Sequence, residues 1–198
     1  MFQGKYISVL AIFLCLFAYL LGSISSAILI SRIGKLPDPR THGSKNPGAT
    51  NVYRLSGQIP ALCVLLFDLG KGLVPVYTGF MLGMNPFELG CIAVAASLGH
   101  MYPLFFRFTG GKGVATALGC MIPLDWGVLV GILTTWLLVY KAFRFSSLAA
   151  LTTVCIAPAL TYWLKPDYVY AVSMLSALII WQHRGNIARL LHGTEPKT

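Results

Sequence analysis

From Tyr6 to Ile30 the chain carries no charged side chain, and that run constrains the fold more than any other feature. About 20 consecutive apolar residues suffice to cross a bilayer core, so the segment predicts a membrane helix. A cleaved signal peptide is the competing reading, with Lys5 ahead of the run and Ser25-Ser26-Ala27 inside it. Signal cores hold only about 7–15 apolar residues, and the longer stretch here favours a retained helix. The pattern recurs down the chain. Seven apolar segments can be drawn, at roughly 6–30, 59–82, 86–106, 112–124, 125–142, 147–164 and 167–182. The fourth is short and ends at Pro123; merging it with the fifth gives six spans. Only 11% of the residues are charged, less than half the roughly 25% of a soluble domain. No internal repeat or linker interrupts the chain, as a solenoid or a second domain would require. The expectation is therefore all-α: one polytopic membrane domain over 1–198 with about seven transmembrane helices.

Charge placement fixes an expected orientation. On the seven-span reading one side receives Arg32, Lys35, Arg40, Lys45, Arg54, Arg107, Lys112, Lys141, Arg144, Arg184, Arg189 and Lys197, and the other only Lys5 and Lys165. Basic loops stay in the cytoplasm, which puts the N-terminus outside and the C-terminus cytoplasmic. The net charge of +9 is thereby explained by topology rather than by nucleic acid, and it leaves a cationic face that attracts anions. Cys15, Cys63, Cys91, Cys120 and Cys155 all lie inside apolar runs with no close pair. They suit packing rather than a disulfide framework or a zinc site. Glycines recur at Gly79-x-x-x-Gly83 and Gly127-x-x-x-Gly131, a spacing that allows close helix contacts in lipid.

Four polar segments carry the chemistry, and the expected topology puts them on one side. The first is His42-Gly43-Ser44-Lys45-Asn46-Pro47-Gly48-Ala49-Thr50-Asn51, followed by Arg54. Small residues, amides and hydroxyls at this density let a loop wrap an oxyanion with N–H groups. It is not a P-loop, because Ala49-Thr50 stands where Lys-Ser/Thr is required. The second is Gly110-Gly111-Lys112-Gly113-Val114-Ala115-Thr116. Its glycines permit close backbone approach, a following helix offers its N-terminus to an anion, and lysine adds a point charge. The third lies within the apolar runs: Asp68 and Lys71 in the second and His100 near the end of the third. Ionisable groups at such depth are functional by default, although an i,i+3 pair such as Asp68 and Lys71 also neutralises itself. The fourth joins Arg144-Phe145-Ser146-Ser147 with His183-Arg184-Gly185-Asn186. Ser146 or Ser147 can cap a helix, and His183 with Asn186 share a helix face.

What is missing narrows the class. The six acidic residues are scattered, with no carboxylate pair for acid–base work, and no two histidines have metal-ligand spacing. No histidine is followed by aspartate five positions on, and there is no Asp-rich helix. A donor-rich site without metal, cofactor or an evident base fits transfer from a substrate that is already activated. A small membrane transporter of phosphate or an organic anion is the alternative, since glycine-broken helices also build transport sites. It would need polar groups running from midplane to the outer face.

Taken together, the motifs resemble those of the bacterial acyl-phosphate-dependent glycerol-3-phosphate acyltransferases, the PlsY family. The likeness runs through Leu21-Gly22-Ser23-Ile24, Gly43 to Val52, Asp68-x-x-Lys71-Gly72, Gly99-His100-x-x-Pro103, Gly110 to Thr116, Ser146-Ser147-Leu148 and His183-Arg184-x-Asn186-Ile187-x-Arg189-Leu190. Lys45 stands where many members of that family have glycine, and Arg107-Phe108-Thr109 replaces a frequent Gly-Phe-Lys. The resemblance implies a seven-span enzyme of the bacterial inner membrane. It would move an acyl group from acyl phosphate to the 1-hydroxyl of sn-glycerol 3-phosphate, releasing lysophosphatidic acid and phosphate.

Residues and resemblance together give an expected site at the cytoplasmic face. Lys112, His100, Ser44 and Asn46 are the candidates for catalysis. Gly43, Gly48, Thr50, Asn51, Arg54, Gly110, Gly111, Gly113, Ser146, Ser147, His183 and Asn186 are the candidates for substrate binding. The first loop would hold the phosphate of acyl phosphate, and Lys112 would neutralise charge at the reacting centre. Arg54, His100, Ser146, Ser147, His183 and Asn186 would grip glycerol 3-phosphate, with the acyl chain between spans. The attacking hydroxyl would lose its proton to a substrate phosphate oxygen, with His100 as the alternative base.

Overall fold

A computed structural model describes residues 8–197; Lys5 and Tyr6, at the head of the first expected span, lie outside them. Among the described residues the structure is all helical. The first apolar run forms two helices, α1 (Val9–Gly22) and α2 (Ser26–Ile33), broken at residues 23–25. A short α3 (Ala49–Ser56) then leads into α4 (Gln58–Met81), and α5 (Pro86–Met101) returns. After a loop come α6 (Val114–Met121), α7 (Trp126–Phe143), α8 (Ser146–Leu164) and α9 (Val169–Gln182), with a terminal α10 (Arg184–Leu191).

Five stretches are long and apolar enough to cross a membrane: Val9–Ile33, Gln58–Met81, Pro86–Phe106, Trp126–Phe143 and Ser146–Leu164. The fourth and seventh expected segments fold as shorter helices. At 1.5 Å per residue, α6 is about 12 Å long and α9 about 21 Å, below the roughly 30 Å of a bilayer core. Gly110, Gly111 and Gly113 lie in irregular loop, with Gly113 left-handed at φ +80°, and Pro166–Tyr168 form a 3₁₀ turn that shortens α9 at its start.

Helix starts follow local chemistry. Asn85 and Glu88 form a reciprocal capping box on α5, with Pro86 at the first helical position. Asp125 accepts the Val128 N–H at the start of α7. Packing then relies on missing side chains. A Cβ on Gly22 would collide with the Ala96 carbonyl, and one on Gly99 with the Tyr19 carbonyl; this brings α1 and α5 into backbone contact. Gly72 and Gly119 do the same for α4 and α6, against the Thr116 and Leu69 carbonyls. Gly131 meets Leu160 of α8, and Gly79 meets Leu89 and Ile92 of α5. The spaced small residues therefore serve contacts inside the chain, at Gly79 and Gly131. The core centres on α5, where Leu89, Ile92, Ala93 and Ala96 pack with Val76, Cys120 and Leu175. All five cysteines are free thiols.

Candidate active site

The polar segments converge because the helices that carry them end at one place. A cavity of about 420 Å³ is lined at that place by Ser44, Asn46, Gly48, Thr50, Asn51, Arg54, His100, Lys112, Gly113, Ser146, Ser147, His183 and Asn186. Beyond these the lining becomes apolar. Val114, Leu118 and Met121 of α6, Leu133 and Trp136 of α7, Ala150, Val154 and Ala157 of α8, and Val172, Leu175 and Ile179 of α9 continue it. From Ser146 to Ala157 along α8 the groove runs about 16 Å. One end is donor-rich and cationic, and the other accepts hydrocarbon.

The first loop is wound around Asn51. Its Oδ1 accepts the Ser44 N–H at 2.9 Å, and its Nδ2 donates to the carbonyls of Pro39 (3.0 Å) and His42 (3.1 Å). Asn51 is therefore buried and fully engaged within the loop. Gly43, at φ +61°, leaves the space that Asn51 Oδ1 occupies and does not itself line the cavity. Lys45 adopts φ +57°, in the left-handed region that glycine enters without cost. Arg107 and Phe108 also sit at positive φ.

Three helices point their N-termini at the cavity. Gly48 before α3, Gly113 before α6 and Phe145 before α8 supply no side-chain cap, so first-turn N–H groups and the positive ends of three dipoles are left for an anion. Capping by Ser146 or Ser147, the bland alternative, is not used. Ser146 Oγ lies 3.3 Å from Thr50 Oγ1, and Ser147 Oγ donates to Glu195 Oε1 at 2.6 Å.

Lys112 reaches across to Asn186, donating to its Oδ1. Asn186 Nδ2 donates to Glu195 Oε1 at 2.6 Å, and Arg189 Nε donates to Glu195 Oε2 at 2.7 Å. Arg54 Nη2 holds the tail by the Pro196 carbonyl at 3.0 Å. Glu195 and Arg189 thus belong to the site although the sequence reading left them out. The available signal was that Glu195 is the only acidic residue after Asp167. Burial pulls Lys112 down to about 8; Glu195 opposes that, while Arg189 and Arg54 add to it. Burial and then the Lys112 cation hold His183 at about 4. A neutral His183, with Nδ1 2.8 Å from the Ile179 carbonyl, keeps Nε2 as an acceptor.

Gly110 and Gly111 do not line the cavity but seat its lysine loop. The Gly111 N–H donates to the His100 carbonyl at 3.1 Å. A Cβ on Gly111 would run into the His100 imidazole and lie 3.1 Å from the Pro47 carbonyl. Gly111→Ala is expected to lower kcat/KM by about tenfold or more, roughly 1.4 kcal/mol, with the protein still folded. Parental kinetics would mean that the loop moves without consequence.

The lysine also predicts a pH profile. Its proton leaves the empty site as pH rises through about 8, so kcat/KM for an anionic substrate declines above that pH. A bound anion holds the proton, and the falling limb of kcat lies higher. A kcat/KM flat through this range would remove Lys112 from anion capture.

Fold and cavity together define the class: an integral membrane protein whose cavity is cationic and donor-rich at one end and apolar at the other. The sequence profile described as glycerol-3-phosphate acyltransferase matches residues 12–193. Glycerol-3-phosphate acyltransferase of Idiomarina loihiensis is 58% identical over 186 residues, covering 94% of this chain and 95% of that one. The Vibrio cholerae protein of the same name is 55% identical over 188 residues, covering 95% and 90%. The crystal structure of PlsY (YgiH), an integral membrane glycerol 3-phosphate acyltransferase, in its glycerol 3-phosphate form superposes with a TM-score of 0.90. It is 38% identical, with 95% of each chain covered. Its lysophosphatidic acid form gives 0.87 at 37% identity, with 94% of each covered. The chain belongs to the glycerol-3-phosphate acyltransferase family.

Proposed function

We propose that this protein transfers a fatty acyl group from acyl phosphate to the 1-hydroxyl of sn-glycerol 3-phosphate, giving lysophosphatidic acid and inorganic phosphate, the first step of bacterial phospholipid synthesis. One observation carries the reading: a single cavity joins three helix N-termini and a half-buried lysine to an apolar groove. Such a cavity fits two phosphates and a hydrocarbon chain. The solved relatives in glycerol 3-phosphate and lysophosphatidic acid forms support the acceptor and the product.

The chemistry asks little of a base. The 1-hydroxyl oxygen forms a bond to the acyl carbonyl carbon, the carbon–oxygen bond to phosphate breaks, and phosphate departs with the hydroxyl proton. Acyl phosphate is a mixed anhydride, so the protein contributes positioning and charge stabilisation. Ser44, Asn46, Gly48 and the first turn of α3 hold the donor phosphate, with Thr50 beside them. Lys112 stabilises charge at the reacting centre, and Arg54, Ser146, Ser147 and Asn186 hold glycerol 3-phosphate. Neutral His183 orients the hydroxyl by accepting its hydrogen bond. A group near pKa 4 takes a proton poorly at neutral pH, so the proton passes to a substrate phosphate oxygen. The acyl chain lies in the groove between α6, α7, α8 and α9.

The proposed setting is the bacterial inner membrane, crossed seven times by the five long apolar stretches and, together with their flanking loops, the shorter α6 and α9, with the N-terminus outside and the site at the cytoplasmic face. The basic loops support this orientation. The test is phosphate release by detergent-purified protein given palmitoyl phosphate, with and without sn-glycerol 3-phosphate. Release that requires glycerol 3-phosphate and yields lysophosphatidic acid is expected. A folded protein with no turnover, but with anion flux in liposomes, would sink the enzyme in favour of a transporter.

A further inference from the structure

Asp68 has a reach that an ion pair with Lys71 does not explain. Its side chain is 2% exposed, and its Oδ1 gathers three groups: Ser26 Oγ at 2.8 Å, Lys71 Nζ at 2.8 Å and His100 Nδ1 at 3.4 Å. Lys71 Nζ also donates to the Ile24 carbonyl at 3.1 Å, in the break between α1 and α2. The carboxylate thus joins α2 to α4 and lies 3.4 Å from His100 Nδ1 of α5, an ion-pair contact rather than a hydrogen bond, at the inner edge of the cavity, which both Asp68 and His100 line. His100 in turn carries the Lys112 loop. Its carbonyl receives the Gly111 N–H, its imidazole lies against the Gly111 Cα, and Gly110 packs on the His100 and Met101 carbonyls. After the loop, Gly72 and Gly119 bring α4 and α6 into backbone contact.

Resting on the proposed function, we propose that Asp68 is a positioning residue for acyl transfer: through His100 it sets the Gly110–Gly113 loop and so the place of the Lys112 ammonium. Stability alone is a poor reason for such a cluster. A buried ion pair is often replaced by neutral groups at no cost to folding, whereas removing one partner leaves an uncompensated charge. Ionisable groups within a membrane also mark function by default.

The test separates position from fold. Asp68→Asn alone leaves Lys71 unpaired and can destabilise, so the informative protein is the neutral double variant Asp68→Asn with Lys71→Met. It is expected to purify as a monodisperse species with near-parental thermal stability. Its kcat is expected to fall by about a hundredfold, the loss that follows from misplacing a reacting group by about 1 Å, while both KM values change little. Asp68→Asn with Lys71→Met, added together to a His100→Gln background, is expected to cost little further, because Asp68 and His100 act in series and their effects do not add. Parental kcat in the neutral double variant, or additive losses with His100→Gln, would overturn the inference and leave the proposed function standing. A parent that releases no phosphate from palmitoyl phosphate with glycerol 3-phosphate would overturn both.

Discussion

Lys112→Ala is expected to reduce kcat by about a thousandfold, the upper end for losing one preorganised electrostatic group from a dry site. The ammonium is held by Asn186 at the end of a glycine loop, and water in a cavity bordered by Leu118 and Val154 replaces it poorly. Lys112→Arg should not restore activity. The guanidinium is a planar fork, larger than the ammonium, and the loop beneath is already in backbone contact with His100. Folding is expected to be unharmed, because a partly desolvated cation is removed rather than created. Steady-state turnover and thermal unfolding of the same preparation check this. A variant retaining a tenth of parental kcat would make Lys112 a topological charge and no more.

Glu195→Ala is expected to damage both activity and stability, which distinguishes it from Lys112→Ala. The Glu195 side chain, 5% exposed, is the common acceptor for Ser147, Asn186 and Arg189. Removing it leaves three donors short of a partner, at about 1–3 kcal/mol for each buried group left unsatisfied. Arg189 is 40% exposed and recovers much of its share from water, so a loss of about 2 kcal/mol is expected. Asn186 is then free to turn from Lys112, and turnover should fall by more than about tenfold. Glu195→Gln keeps an oxygen for Ser147 and Asn186 and should lie between parent and alanine. An alanine variant that is fully active and melts with the parent would show that the tail merely rests on the site.

Much of this was legible in the chain because it depends on local chemistry. The charge-free runs required helices, and the glycine-bracketed Lys112 marked a turn that lies at the cavity. Asp68 and Lys71 pair as their spacing suggests. Boundaries were less legible. The break at residues 23–25 involves residues as apolar or small as their neighbours, and α6 begins after the glycines because Gly113 takes a positive φ. Hydropathy averages over such features.

The division follows from distance along the chain. Composition and spacing within a few residues specify the all-helical membrane class, the four polar segments and most of the polar residues that line the cavity. Which partner each one meets depends on contacts between segments far apart in the chain. Asn51 turned inward to hold its own loop, Gly111 came to rest on His100, and Asp68 reached α2 and α5 together. Glu195, 48 residues from Ser147, entered the site because the tail turns after α10 at Gly193, which takes φ +68°; the glycine marks a turn, but not the partner the tail meets. Contacts between distant segments depend on backbone approach at Gly22, Gly72, Gly99 and Gly119, where the deciding feature is a side chain that is absent.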